Sequence, residues 1–441
     1  MRSGARAVRC SEGFATRSSA ERGVTRAPAA TAVAIALAVY CGYLSGANGS
    51  VAPFLAASFA LDDTEVARLF AAFGLSSAVA VALGRMADRL GRRRLIAFCL
   101  AGLPCSALAS ALAPNAAAFA AAQVVAQSLG AALFATTTVL LVEELAPAHR
   151  ARGLARAGAA FAAATAVPLV LATLLAHEPG AWRVVYALAA LPLLALPFAR
   201  ARIPETALWR DAAARGRTRG ACMRELFAPP HLAATLRLVA AAALVHAVEG
   251  VTRTFLLYHA VRGQQLAPSR ATALLVLAGG AGLVGFPLGA RLADRIGRRA
   301  TFAAGGALVV LCAGLYYGRA PGVPGAQLLA SALGIFGLSL GGNAALTAFR
   351  ALATEFLPTE LRASLAGVLS LGGACGWFGA MLAVRALAAP LGGIGPGVAL
   401  LAVVALPAAA VLVAGVPERG PQEDGHAGLA DALRSPALEQ L

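Results

Sequence analysis

Lysine is missing from this chain: all 37 of its basic residues are arginine. Acidic residues number only 21, which leaves a formal net charge of +16, yet charged residues make up just 13% of the 441 positions. That is too little charge to solvate an ordinary soluble globule, where about a quarter of residues carry one. The seven cysteines (Cys10, Cys41, Cys99, Cys105, Cys222, Cys312 and Cys375) form no CxxC pair and have no histidine at ligand spacing. This argues against a metal or dithiol role and for small apolar fillers. No glycine-rich phosphate loop is followed by a lysine, so ATP-driven work by this chain alone is not expected. HExxH and GxSxG on a plausible scaffold are also lacking, and the sequence offers no catalytic constellation, metal site or cofactor site. It does not read as an enzyme.

What the chain has instead is apolar surface, 59% of its residues, cut into runs of membrane length. Twelve runs stand out, at 28–49, 67–84, 95–112, 116–141, 153–175, 184–199, 238–258, 269–289, 301–318, 325–349, 364–388 and 395–415. About 20 such residues cross a ~30 Å hydrocarbon core as a helix. Lipid offers backbone groups no other partners, so the expected fold is an all-α membrane protein of twelve transmembrane helices. The arginines concentrate in segments that become cytoplasmic if the N-terminus is inside, the bias of multi-pass inner-membrane proteins. Both termini are then cytoplasmic. Placement of this kind explains the basic charge through the lipid bilayer as partner, without nucleic acid.

One charged pattern occurs twice. GRMADRLGRRR at 84–94 returns as ARLADRIGRRA at 290–300, aligning Arg85 with Arg291, Asp88 with Asp294, Arg89 with Arg295, Gly91 with Gly297 and Arg92 with Arg298. EELAPAHRARG at 143–153 matches EFLPTELRASL at 355–365, pairing Glu144 with Glu355 and Pro147 with Pro358. IPET at 203–206 matches VPER at 416–419. A repeat at half the chain's length marks a duplicated membrane domain. The organisation read from it is a disordered cytoplasmic tail at 1–27, a six-helix bundle at 28–199, a basic cytoplasmic linker at 200–237, a second bundle at 238–416 and a cytoplasmic tail at 417–441.

These loops resemble the signatures of the major facilitator superfamily of secondary transporters, over about residues 30 to 420. The resemblance implies two six-helix halves related by a pseudo-two-fold axis, working by alternating access around a cavity lined by helices one, four, seven and ten. It implies a cytoplasmic latch in which the Asp at the position of Asp88 is held by a helix N-terminus and by Arg. The latch residues carried over are Arg85, Asp88, Arg89, Gly91 and Arg92, with Asp294, Arg295 and Arg298 in the second copy, and Glu144, Arg152, Glu355 and Arg362 in the flanking blocks. The plainer role for most of these arginines is to enforce topology. The Glu-Pro-Arg blocks and Pro-Glu pairs resemble the sugar-porter and metabolite:proton symporter branches. Helix one departs from them, with Leu44 after Tyr43 where such symporters commonly carry an acid.

Polar groups are costly within a span, so their positions carry information. They gather as Tyr40, Tyr43 and Asn48 in span one, Gln123 and Gln127 in span four, His246, Glu249 and Arg253 in span seven, and Asn343, Thr347 and Arg350 in span ten. These are the helices that the resemblance sets around the cavity. On an ideal helix His246, Glu249 and Arg253 fall within about 60° of arc. Burial raises a carboxylate's pKa and a nearby Arg lowers it, so such a pair can load and release a proton as solvation changes. Glu249 is the candidate proton-coupling group, His246 a relay and Arg253 a counter-ion or anion anchor; a static pair that aids insertion fits the same spacing. Gln123, Gln127, Asn343 and Thr347 suit substrate hydrogen bonds or helix–helix contacts equally. Tyr40 and Tyr43 suit packing or substrate contact, and His259 an external rim. The expected function is secondary active transport, by proton symport, of a small polar metabolite; organic anions are candidates because Arg253 and Arg350 fall on cavity helices. Efflux of drug-like molecules, or a transporter-fold sensor without flux, are the alternatives. The partners are a small-molecule substrate, protons and lipid, and the chain is read as a monomer.

Overall fold

A computed structural model describes the backbone of residues 9–74, 76, 79–80, 82–83, 91–145, 147–178, 180–193, 226–318, 324–355 and 359–417. Every regular element among them is helical, as the need to satisfy backbone groups in lipid dictates. The first half holds α1 (Arg9–Ser58), α2 (Asp63–Phe73), α3 (Arg92–Ala111), α4 (Ala116–Glu144), α5 (Pro147–Ala164), α6 (Ala166–Leu174) and α7 (Trp182–Leu188). The second holds α8 (Pro229–Tyr258), a π-turn (His259–Gly263), α9 (Pro268–Ile296), α10 (Arg298–Tyr317), α11 (Pro324–Glu355), α12 (Thr359–Ala388) and α13 (Ile394–Ala414). Ten helices among the described residues are long and apolar enough to cross a membrane. The other two expected spans, 67–84 and 184–199, run onto residues outside the described set.

The chain divides into two compact units, Met1–Arg217 and Thr218–Leu441, at a point inside the expected linker. Two boundaries differ from the sequence reading. The backbone is helical from Arg9, within the stretch expected to be a disordered tail. Span seven opens at Pro229, within the expected linker, because proline suits a first helical turn whose N–H has no intrahelical partner. Residues 200–225 and 418–441, the rest of the linker and most of the C-terminal tail, lie outside the described residues.

The two units repeat one packing plan. In the first, α1 packs on α5 and α6, α3 on α4 and on α7, and α2 on α4. In the second, α8 packs on α12, α10 on α11 and on α13, and α9 on α11. Span one on five thus matches seven on eleven, three on four matches nine on ten, and two on four matches eight on ten. Backbones touch where one crosses five and seven crosses eleven. A Cβ on Gly42 would lie 2.2 Å from the Phe161 carbonyl oxygen, and one on Gly46 2.3 Å from that of Thr165. In the second unit the glycine pair sits on the other partner. There a Cβ on Gly372 would lie 3.0 Å from the Val239 carbonyl oxygen, and one on Gly376 1.9 Å from that of Ala243. Helices surrounded by lipid gain little from apolar burial, so such close approach is what holds the crossing.

The glycines that close the two repeated patterns share a backbone conformation. Gly91 precedes α3 with φ 99° and ψ 154°, and Gly297 precedes α10 with φ 94° and ψ 157°. Only glycine occupies that region without strain, which explains its place in both copies. Gly91→Ala and Gly297→Ala are each expected to destabilise the protein by about 1–3 kcal/mol. Thermal unfolding of the purified protein checks this. Gly158→Ala, whose Cβ meets open space, serves as the neutral comparison.

Candidate functional site

Glu249 lies about two thirds of the way along α8, the one acid in a mainly apolar helix, and helical spacing sets Arg253 one turn on. Arg253 Nε is 3.2 Å from Glu249 Oε1. Arg253 Nη2 donates to Asn343 Oδ1 on α11 at 2.7 Å, and Asn343 Nδ2 donates to the Gly282 carbonyl of α9 at 2.8 Å. One amide therefore ties the ion pair to two further helices. Gly282 permits it, since a Cβ there would lie 2.9 Å from Asn343 Nδ2. Thr347 donates its hydroxyl to the Asn343 carbonyl one turn back, at 2.7 Å. The Glu249 side chain is 28% exposed and that of Arg253 57%. They open on a small cleft within the second unit, whose other walls include Val248, Phe302, Val309 and Leu406. Apolar walls screen charge weakly, so the two groups feel each other more strongly than they would in water.

His246 is one turn before Glu249. Its Nδ1 lies 2.9 Å from the Ala242 carbonyl of its own helix, and its ring packs against Gly373 on α12. A carbonyl only accepts, so Nδ1 carries the hydrogen. No hydrogen bond joins His246 to Glu249 among the described residues. Arg350, exposed on α11, is near enough for its charge to act on Glu249.

The first unit has a cleft lined by Cys41, Ser45, Gln127, Phe134 and Phe161 among others. Gln123 is buried at its edge and donates to the Ser110 hydroxyl at 2.8 Å, tying α4 to α3. Tyr40 donates to the Ala189 carbonyl at 2.9 Å and Tyr43 to the Val185 carbonyl at 2.7 Å, so both hydroxyls fasten α1 to α7. Asn48 accepts from Tyr186 at 2.6 Å in the same seam. Ser45, Phe134 and Phe161 line the cleft with nothing in their own sequence context to mark them.

Of the latch residues, Arg85, Asp88 and Arg89 lie outside the described residues, as do the side chains of Glu144, Arg152, Glu355 and Arg362. In the second copy Asp294 pairs with Arg298 at 3.5 Å, bridging the end of α9 to the start of α10. Arg298 is buried like its counterpart Arg92, whereas Arg295 is exposed. Arg299 donates to the Val416 carbonyl and Arg237 to that of Gly415, both at the end of α13. Helix C-termini leave carbonyls without partners and carry partial negative charge, and arginine answers both needs.

On the other side of the second unit, His259 is buried rather than set on an open rim. The π-turn folds it back so that Nε2 donates to the Tyr316 carbonyl at 3.0 Å, with its ring against Tyr316 and Tyr317. In the first unit Arg183 closes the end of α3, donating to the carbonyls of Ala111 and Ala113 while its guanidinium lies 4.5 Å from the Trp182 ring centre.

Residues 33–381 match a family model described as Major Facilitator Superfamily. The fold is similar to a crystal structure of a D-xylose–proton symporter, at 15% identity and a TM-score of 0.71, over 88% of this chain and 98% of that one. It is also similar to a mutant form of the nucleoside transporter NupG, at 11% identity and a TM-score of 0.71, over 88% and 98%. An inward-open xylose transporter, XylE from E. coli, matches at 15% identity and a TM-score of 0.64, over 91% and 98%. No curated protein matches.

Proposed function

The chain belongs to the major facilitator superfamily of membrane transporters, and from that premise we propose that it carries a small polar metabolite by proton-coupled symport. The supporting observation is the Glu249–Arg253 pair, set on a cleft within a mainly apolar helix. An ion pair left half-open has a carboxylate that water can reach, and a guanidinium that decides how readily it takes a proton. Symport couples the two ligands by letting the halves rock only when both sites are filled or both are empty. A protein of like fold at 15% identity, the D-xylose–proton symporter, couples its sugar to protons. Organic anions are favoured here because Arg253 and Arg350 supply two positive charges against one carboxylate. On this reading the protein is a monomer in the cytoplasmic membrane, both termini inside, with Asp88 and Asp294 serving the cytoplasmic latch.

Reconstituted protein should accumulate its substrate when an inward acid gradient is imposed, and a protonophore should abolish the accumulation. A screen of organic acids, sugars and amines in proteoliposomes provides the test. Uptake that only equilibrates, at every pH difference tried, would remove proton coupling from the proposal. Binding with no flux at all would favour a sensor.

A further inference from the structure

The end of the second unit opposite the Asp294–Arg298 bridge is made by three connections, from α8 to α9, α10 to α11 and α12 to α13. Its charge is all of one sign. Arg262 sits in the π-turn, Arg270 in the first turn of α9 and Arg385 in the last turn of α12. Arg319 follows α10 in the chain, at a position outside the described residues. No acidic residue occurs between Glu249 and Asp294, between Asp294 and Glu355, or between Glu360 and Glu418, so these connections hold no counter-charge. Arg262 and Arg270 are exposed and Arg385 is partly so. The turn that carries Arg262 is firmly held. Gln265 donates to the Arg262 carbonyl at 2.8 Å, Gln264 donates to the Tyr316 carbonyl at 2.9 Å, and Ser331 donates to Gln264 Oε1 at 2.6 Å.

Two general preferences are broken here. On the topology proposed above this end is outside, where multi-pass proteins carry few arginines. Arg270 also sets a cation in a first helical turn, at the pole that is already positive. The duplicated plan demands neither, since the same connections of the first half hold Asp62, Asp63, Glu65 and Glu178 beside Arg68 and Arg183. An arginine-rich composition would weight both halves alike.

We propose that this end of the second unit is a collecting surface for small anions, carboxylates or phosphates dissolved in the water over it. Like charges grouped without counter-charges set up a potential that concentrates anions at the loops and turns cations away. Lipid headgroups offer phosphate of the same chemistry. Arg262 stands in a turn past the apolar run at 238–258, within reach of dissolved anions, and that source is the one assigned. The surface rests on the organic-anion reading above only for the use made of what it collects.

The test reads the potential with charged thiol reagents on the full chain in phosphatidylcholine vesicles. Cys10, Cys105, Cys222 and Cys375 are changed to serine, and one cysteine is placed by Ala389→Cys at the exposed start of the α12–α13 turn. The parent lacking Ala389→Cys supplies the background rate. Rates are taken with the anionic sulfonatoethyl and the cationic trimethylammonioethyl methanethiosulfonates, each relative to a free thiol in solution. The anion-to-cation ratio should exceed that of the free thiol about tenfold at low salt, because the two reagents differ by two charges in one potential. It should fall toward the free-thiol ratio at ~1 M salt, where the screening length is ~3 Å. Arg262→Gln combined with Arg270→Gln should lower it severalfold. Ala117→Cys, exposed at the start of α4 in the first unit, should show little preference.

A ratio equal to that of the free thiol, or one that salt and the double arginine replacement leave unchanged, would overturn the proposal. So would a preference that vanishes, beyond any change at Ala117→Cys, when phosphatidylglycerol is added; the arginines would then serve headgroups. Both replaced arginines are exposed, so the variant should fold, and the salt series decides without it. None of these rates needs transport. A failed uptake screen would leave the surface standing, and a failed surface would leave the coupling at Glu249 untouched.

Discussion

Glu249→Gln is expected to abolish uphill uptake while leaving downhill exchange of substrate across the membrane. Glutamine keeps the shape and hydrogen-bonding atoms of a protonated carboxyl but holds no exchangeable charge, so the carrier is fixed in its loaded form at this position. Arg253 loses its anionic neighbour yet keeps the bond to Asn343, so the helix should stay in place. Counterflow assays in proteoliposomes, where labelled and unlabelled substrate exchange without a gradient, separate the two behaviours. A variant that still accumulates substrate fully under an acid gradient would show that Glu249 carries no coupling proton and serves as a static partner of Arg253. His246→Gln should be milder, because its ring bonds to its own helix and is not hydrogen-bonded to the carboxylate.

Gly376→Val should do comparable damage for a different reason. The added Cβ would lie 1.9 Å from the Ala243 carbonyl oxygen and 2.6 Å from its Cα. Both are backbone atoms of α8, which cannot rotate aside as a side chain would. The two helices must separate, and the loss should fall at the upper end of the ~1–3 kcal/mol range for overpacking, or beyond it. Separation would also carry Glu249 and Arg253 away from Asn343, so substrate binding should fall with stability. Melting temperature and the monodisperse fraction after purification measure the effect. Gly379→Val is the control, since it lies on the same helix with nothing near the new atom.

The charged hairpins, the duplication and the spans were legible because each is written locally. Gly91 and Gly297 repeat in sequence and have the same backbone conformation, so one physical demand left its mark twice. The polar residues on spans one, four, seven and ten were also legible, because a buried polar group in lipid has to be accounted for. Their partners were not. Tyr40 and Tyr43 each donate to a backbone carbonyl far along the chain, and every residue has a carbonyl, so nothing in the sequence singles out Ala189 or Val185. Gln123 and Gln127 share one helical face and both reach the cleft, yet Gln123 also bonds Ser110 of a neighbouring helix, a partner set by packing alone. The start of α8 was missed because Pro229 and Pro230 look like a loop until their place in a first turn is seen.

In one crossing the glycines lie on span one, as Gly42 and Gly46, and in its counterpart on span eleven, as Gly372 and Gly376. The geometry survived duplication while the residues that permit it changed sides. Neither helix is therefore an interchangeable part. Grafting span seven into the place of span one would set side chains where Phe161 and Thr165 leave room only for hydrogen. What descended intact from the ancestral half was a fitted couple, and a hybrid would have to inherit both members together.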